Sequence, residues 1–363
     1  MQVPVRLATL RGVVVRSANQ VYVLPMQQVR QVIRVQWRDI LPFGDRQAIE
    51  FQGEKISVIP LTEALGIAGY HRSPEGSAQV PVVILAYGAG SGEYPAPEPA
   101  KIDALFSAIR TAAPDLKTLH IDNTNPATIV RHEDAAREAL RAIIRHHTSG
   151  DVAAFGMETA DPSVVAANNL KANADEVFRA IEIVNEEGGK RRDNVPELLP
   201  GLNFVCGLAG ETETTYDLNE QFLDRVLKAG LSVRRVNIRQ VMPFEGTPAY
   251  TNNTLGKHDR RFRQFKEYVR NRIDLPMLQR VFPIGTVLRE VRIEISEDLS
   301  CGRQMGSYPI LVGIPLRLPE RMVTDAVVVD WGRRSVTALP VPVAINTLPA
   351  TALRWIPGIG KKK

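Results

Sequence analysis

Cysteine is nearly missing: the 363 residues hold two, Cys206 and Cys301. So few thiols, so far apart, exclude a disulfide framework and every cysteine-rich metal motif, because such sites draw several closely spaced thiolates. Long apolar runs are missing too. No stretch approaches the roughly 18 to 20 apolar residues of a membrane span, and no basic patch near the N-terminus leads into an apolar run of signal length. The expectation is a soluble, cytoplasmic protein. Charge is weakly biased, with a net +5 and a pI near 9.2. That excess permits an anionic partner without demanding one.

What is present is core. Hydrophobic residues make up 44% of a chain long enough for two or three domains. Residues 1–86 alternate as β-rich domains do: VRLATLRGVVVRSANQVYVLP reads as two strands turning at Ser17-Ala18-Asn19-Gln20, and AIEFQGEKISVIPL repeats the pattern around Gln52-Gly53. Turn signals at short intervals with few helical stretches predict a small β-barrel or sandwich, or strands of a larger mixed domain.

From Pro95 the pattern changes to strand and helix in alternation, which predicts a parallel sheet covered by helices. PAKIDALFSAIRTAAP is a helix with Ile102, Leu105, Phe106 and Ile109 on one face, and LKTLHIDN is the strand after it. Strand DVAAFGMET leads to helix DEVFRAIEIVNEEGG, whose paired glycines suit a C-terminal cap. NFVCGLAGE, helix TTYDLNEQFLDRVLKAG and strand RRVNIRQVMPF follow. Four β/α units in series predict part of a barrel or an open doubly wound sheet.

In either architecture ligands sit at the carboxyl ends of the strands. The polar residues at those ends are Asp122, Asn123, Glu158, Thr159, the stretch Gly207 to Thr212, Arg239 and Gln240. In GLAGET, Gly207 and Gly210 let backbone amides approach a ligand, and Glu211 with Thr212 opens the next helix, where the dipole favours a carboxylate. A turn with a helix N-cap explains the same residues. Capping of buried strands is likewise the alternative for Asp122, Asn123, Arg239 and Gln240. No catalytic residue is assigned.

Two family resemblances rest on these stretches. RLATLRGVVVRSANQVYVLPMQQVRQVIRV, RDILPFGDRQAIEFQGEKISVIPLTEALGI and PVVIL resemble the CheW-like regulatory domain of chemotaxis histidine kinases, a docking module without catalytic residues. The resemblance implies chemotaxis receptor or kinase partners for residues 1–86. FGMETADP followed by NFVCGLAGETETTYDLNEQFL resembles the second half of a radical S-adenosylmethionine (SAM) barrel, and the likeness extends from about Glu93 to Lys363. It implies that Glu158 and Thr159 face the methionine or ribose part of SAM and that backbone around Gly207 lines its adenine. Ala209 departs from the proline of many relatives, and Leu170 from an arginine, for which Lys171 is a possible substitute.

That family also implies a [4Fe-4S] cluster held by three cysteines in a CxxxCxxC loop, and no such loop exists here. Cys206 lies within a strand, where a buried small hydrophobe is the expected role. The sequence therefore predicts a radical SAM remnant without radical chemistry. AYGAGSG, which runs into residues 87–94, then reads as a seam where a truncated docking module meets a barrel lacking its cluster-bearing strands. The alternative is a true fusion in which the CheW-like strands complete the structure.

At the end of the partial barrel at 95–281, GKHDRRFRQFKEYVRNRIDLPMLQRV carries eight Lys or Arg against three acidic residues. It reads as a solvated helix face, or as nucleic-acid-binding charge. Residues 282–345 are strand-rich and predict a second small β-barrel. INTLPATALRWIPGIGKKK, which fills 346–363, resembles the first half of a helix-hairpin-helix, in which Gly358 and Gly360 would offer amides to a nucleic-acid phosphate and Lys361 and Lys362 would add charge. A solubilising tail is the other reading.

Overall fold

The computed structural model describes residues 12–17, 20–25, 29–43, 46–51, 54–59, 61, 79–85 and 94–359, apart from 193, 244, 246, 344 and 357. The chain divides into two compact units, Met1–Ala89 and Gly90–Lys363.

In the first unit β1 (Gly12–Ser17) and β2 (Gln20–Pro25) pair antiparallel with Ser17 opposite Gln20, as the alternating pattern predicts. β3 (Val29–Gln36) pairs antiparallel with a distant strand, while β4 (Leu41–Phe43), β5 (Arg46–Phe51) and β6 (Glu54–Val58) form a meander. The distant partner is β7 (Gln79–Leu85). Ala48 and Ile49 on β5 are buried. The Gln52-Gly53 turn lies outside the described residues, but Phe51 and Glu54 on either side of it are paired. The AYGAGSG seam lies outside them too.

The second unit opens with α1 (Pro99–Ala112), whose Pro99 sits at the first helical position, where its missing N–H costs nothing. Phe106 is the residue of this helix that reaches the buried core. Then come α2 (Pro126–Arg131), capped by the Asn125 side chain, and α3 (Glu133–His146). β8 (Asp151–Glu158) leads through α4 (Pro162–Ala167) to α5 (Ala174–Gly188), which begins in a capping box between Asn173 and Glu176. A short hairpin, β9 (Arg191–Arg192) and β10 (Val195–Pro196), precedes β11 (Leu198–Cys206), α6 (Glu213–Lys228) and β12 (Arg235–Gln240).

The strands β8, β11 and β12 are parallel and lie side by side in chain order. The first strand of the predicted series, LKTLHIDN, is not regular: it touches the sheet at one bridge, Asn123 to Ala154. Side chains compete for its backbone. Leu119 N–H donates to Thr148 Oγ1 at 3.0 Å and Ile121 N–H to Asp151 Oδ2 at 2.9 Å, so those groups are lost to a ladder.

One face of the sheet is apolar. Phe155, Met157, Leu202, Phe204, Cys206 and Val236 are buried there, in one core with helix residues including Ile181, Leu223 and Phe265. Phe265 stands edge-on to Phe204, with ring centroids 5.6 Å apart, an aromatic geometry worth about 0.5–1.5 kcal/mol beyond burial.

After α7 (Pro248–Asn252), α8 (Asp259–Tyr268) runs through a π-helical stretch, Val269–Asp274, into α9 (Leu275–Val281). Phe265, Val269, Ile273 and Met277 bury a continuous stripe at helical spacing. Several arginines opposite it are paired: Arg261 with Asp217, Arg270 with Glu267 and Arg272 with Asp224. This agrees with the solvated-face reading.

A closed five-stranded barrel follows, built from β13 (Val287–Ile295), β14 (Ser300–Arg303), β15 (Leu311–Ile314), β16 (Val323–Trp331) and β17 (Ser335–Val341) in the order 13-14-15-17-16. Alternation predicts four of these. The short SCGR strand escapes it because Gly302 lies against the Arg292 carbonyl with no room for a Cβ, a packing constraint without a period-2 signature. A 3-10 turn, Ile345–Thr347, and α10 (Ala350–Leu353) end the described chain, with Ala352 packed beside Leu339. No helix among the described residues is long and apolar enough to cross a membrane.

Candidate functional site

The face of the sheet opposite the apolar core is polar. Alternation along parallel strands puts Arg235, Asn237 and Arg239 of β12 beside Gly201, Asn203 and Val205 of β11 on this face. Gly156 and Glu158 of β8 stand along the other side of β11. A cleft of about 610 Å³ opens at the carboxyl ends of β8 and β11, with Asn123, Glu158, Asn169, Lys171 and Asn203 among its walls.

Glu158 dominates that cleft. It ends β8 with φ +53°, a left-handed conformation uncommon for a non-glycine residue and a feature that clusters at functional sites. Gly156 makes the turn of its side chain feasible, since a Cβ there would lie 2.7 Å from Glu158 Oε1. Burial pushes the Glu158 carboxyl up to about 7, against the pull of the Arg239 guanidinium. A carboxyl poised near neutrality can accept a hydrogen bond from a ligand or take a proton from it.

The other candidate residues separate into distinct roles. Thr159 is buried and donates its hydroxyl to Asn219 Oδ1 at 3.2 Å, on the helix side of the sheet rather than in the cleft. Gly207 and Gly210 have φ of +91° and +79° and shape the loop after β11. That loop is closed by Glu211, whose carboxylate accepts from Gly207 N–H and from the Tyr216 hydroxyl, both at 2.7 Å. Burial raises the Glu211 pKa, opposed by its two donors. Asn168 braces the same loop, accepting from Ala209 N–H at 3.2 Å and donating to Ala209 O at 2.9 Å. None of Gly207, Gly210 and Glu211 lines the cleft.

Asp122 accepts a 2.8 Å hydrogen bond from the Tyr308 hydroxyl, and Arg239 and Gln240 are exposed at the end of β12. Lys171, the possible substitute for the arginine missing at Leu170, lines the cleft beside Leu170. Gly358 has φ +88°, whereas Gly360, Lys361 and Lys362 lie outside the described residues.

Asn203 and Tyr308 are the residues that motif reading misses. Asn203 carries a detectable signal, being polar within an otherwise apolar strand. Tyr308 carries none, because it reaches Asp122 from a barrel loop 186 positions away.

The donor set does not fit an iron–sulfur cluster. Cys206 is buried and its thiol is pushed up to about 12, chiefly by desolvation, while Cys301 lies on β14. Among the described residues no group of His, Cys, Asp and Glu is placed to hold a metal ion.

Residues 11–94 match the family of the CheW-like domain, so the chain carries such a domain at its N-terminal side. The chain is also 42% identical over 273 residues to an uncharacterized protein of Archaeoglobus fulgidus, covering 74% of this chain and 52% of that protein. It is 48% identical over 254 residues to an uncharacterized protein of Methanocaldococcus jannaschii, covering 68% and 46%. The chain thus spans about half the length of these curated relatives. Among solved structures it is similar to a radical S-adenosylmethionine methyltransferase, TsrM, from Kitasatospora setae with cobalamin and a [4Fe-4S] cluster bound. That likeness is 14% identical with a TM-score of 0.28, over 40% of this chain and 26% of the other.

Proposed function

We propose that residues 94–281 bind a small zwitterion of the adenosylmethionine class in the cleft around Glu158, on a barrel segment of radical SAM ancestry that lacks its own cluster ligands and performs no radical chemistry. The observation that carries this reading is the enclosed Glu158 carboxyl, held near neutrality at the mouth of a parallel sheet. In its ionised form Glu158 accepts from the ligand's ammonium or ribose hydroxyls, Lys171 meets its carboxylate, and Asn203 offers an amide between them. The GLAGET loop keeps the shape of the sheet end through Glu211 and Asn168.

Isothermal titration of the full chain with adenosylmethionine tests the proposal. Binding should strengthen as pH rises through about 7, where Glu158 ionises. Glu158→Gln should weaken it about tenfold or more at alkaline pH, since a hydrogen bond to a charged group is worth about 1.5–3 kcal/mol. No binding at millimolar ligand, or equal binding by both proteins across that range, would refute it.

A second reading concerns the other unit. The CheW-like domain supports a docking role toward chemotaxis receptors or their kinase. Retention of the full chain on an assembled receptor–kinase complex is the expected result, and a chain washed through that complex removes the reading.

A further inference from the structure

A second cavity, of about 420 Å³, lies where the amino-terminal end of β12 meets the β13–β17 barrel, and its charge is lopsided. Arg234 and Arg235 enter it from the start of β12, Arg303 and Arg334 from the barrel, and the one carboxylate on its wall is Asp274. Asp274 lies 3.3 Å from Arg334, and Arg303 is turned toward Glu294. That leaves Arg234 and Arg235 without an ion pair among the described residues, although Asp274, already paired with Arg334, attracts Arg235 through space. Arg234 stacks on Phe282, 4.6 Å from its centroid, and Arg235 on Tyr308 at 4.9 Å.

The Nε atoms of both arginines are buried and make no hydrogen bond with any described residue. An orphaned guanidinium donor costs about 1–3 kcal/mol or more, and two such groups side by side repel as well. The strain registers electrostatically: burial and the neighbouring Arg235 hold Arg234 down at about 10, while burial, Arg334 and Arg239 lower Arg235. Apolar side chains of Met277, Leu278 and Ile310 complete the walls. A small, partly apolar cavity with paired arginine forks and a deficit of negative charge is complementary to a compact dianion, because planar guanidinium groups match phosphate oxygens two at a time.

We propose that this cavity is a binding site for a phosphomonoester dianion. It shares no lining residue with the Glu158 cleft and does not depend on the reading of that cleft. The ligand's charged end lies between Arg234 and Arg235, with Arg303 and Arg334 closing from the barrel, and its apolar part rests on Leu278 and Ile310. Occupation would tie the barrel to the sheet across the Arg235–Tyr308 stack.

Inorganic phosphate is the probe, with chloride at matched ionic strength as the comparison. Phosphate should raise the thermal midpoint of the full chain in a saturable way that chloride does not reproduce. Arg235→Gln should weaken phosphate binding about tenfold or more, as expected for loss of one charge-assisted bond. Arg225→Gln, an equal charge change at an exposed pair with Asp175 outside the cavity, should leave binding unchanged. Equal stabilisation by chloride, or phosphate binding equally affected by both substitutions, would overturn the proposal. So would a single-stranded oligonucleotide that binds through Arg235 without competition from phosphate, because a diester backbone would then be the ligand.

Discussion

Replacing Glu158 with glutamine should stabilise the protein in mild alkali and leave it unchanged in acid. The Glu158 carboxyl moves from 4.5 to about 7 on folding because burial penalises its charge. A folded-state value above the unfolded one means that the native chain binds this proton more tightly. The associated stability is complete below pH 4.5 and is lost as pH rises through about 7. At about 1.4 kcal/mol per pKa unit, the shift corresponds to about 3 kcal/mol. Glutamine keeps the size and the hydrogen-bonding capacity but never ionises. The Glu158→Gln chain should therefore match the parent at pH near 4.5 and exceed it by up to about 3 kcal/mol at pH near 8. Other buried acids such as Glu211 and Asp274 are also raised, but they titrate in both proteins and cancel in the difference. Urea denaturation of both chains across this pH range, followed by far-UV circular dichroism, measures it directly. Parallel stability curves would refute the claim that Glu158 is desolvated.

Two further substitutions probe the scaffold beneath the cleft. Gly188→Ala should cost about 1–3 kcal/mol or more, because the new methyl would collide with the Leu198 carbonyl and lie 2.8 Å from the Leu198 Cβ; an unchanged urea midpoint would contradict that packing. Asn219→Ala should cost about 1–3 kcal/mol for each group it abandons, namely Ala160 N–H and the Thr159 hydroxyl, and a neutral result in the same denaturation assay would show that neither group is orphaned.

The legible parts of the molecule are those with a local period. The α5 and α6 faces, the apolar runs of β8 and β11, the hairpin of β1 and β2, and the barrel strands β13, β16 and β17 all follow from alternation or helical spacing, which backbone geometry enforces within a few residues. Glu158 was also legible, as a carboxylate placed at the end of a parallel strand. The irregular course of 116–123 was not, because it depends on Thr148 and Asp151 taking its N–H groups from a later turn. Nor could spacing reveal that Thr159 turns to Asn219 while its neighbour Glu158 faces the cleft, since the positive φ at Glu158 interrupts the strand's alternation.

By itself, then, the amino-acid order determined the kinds of element, the scarcity of thiolates that excludes a three-cysteine cluster, and a docking-type β segment ahead of an α/β segment. Tertiary structure alone decided which charges meet. Tyr308 reaches Asp122, and Arg234 and Arg235 face Arg303 and Arg334, through contacts spanning long stretches of chain that no local pattern encodes. Pairing across such distances is set by how the barrel packs on the sheet, and burial then converts ordinary side chains into a near-neutral carboxyl and a cavity where four arginines meet one carboxylate.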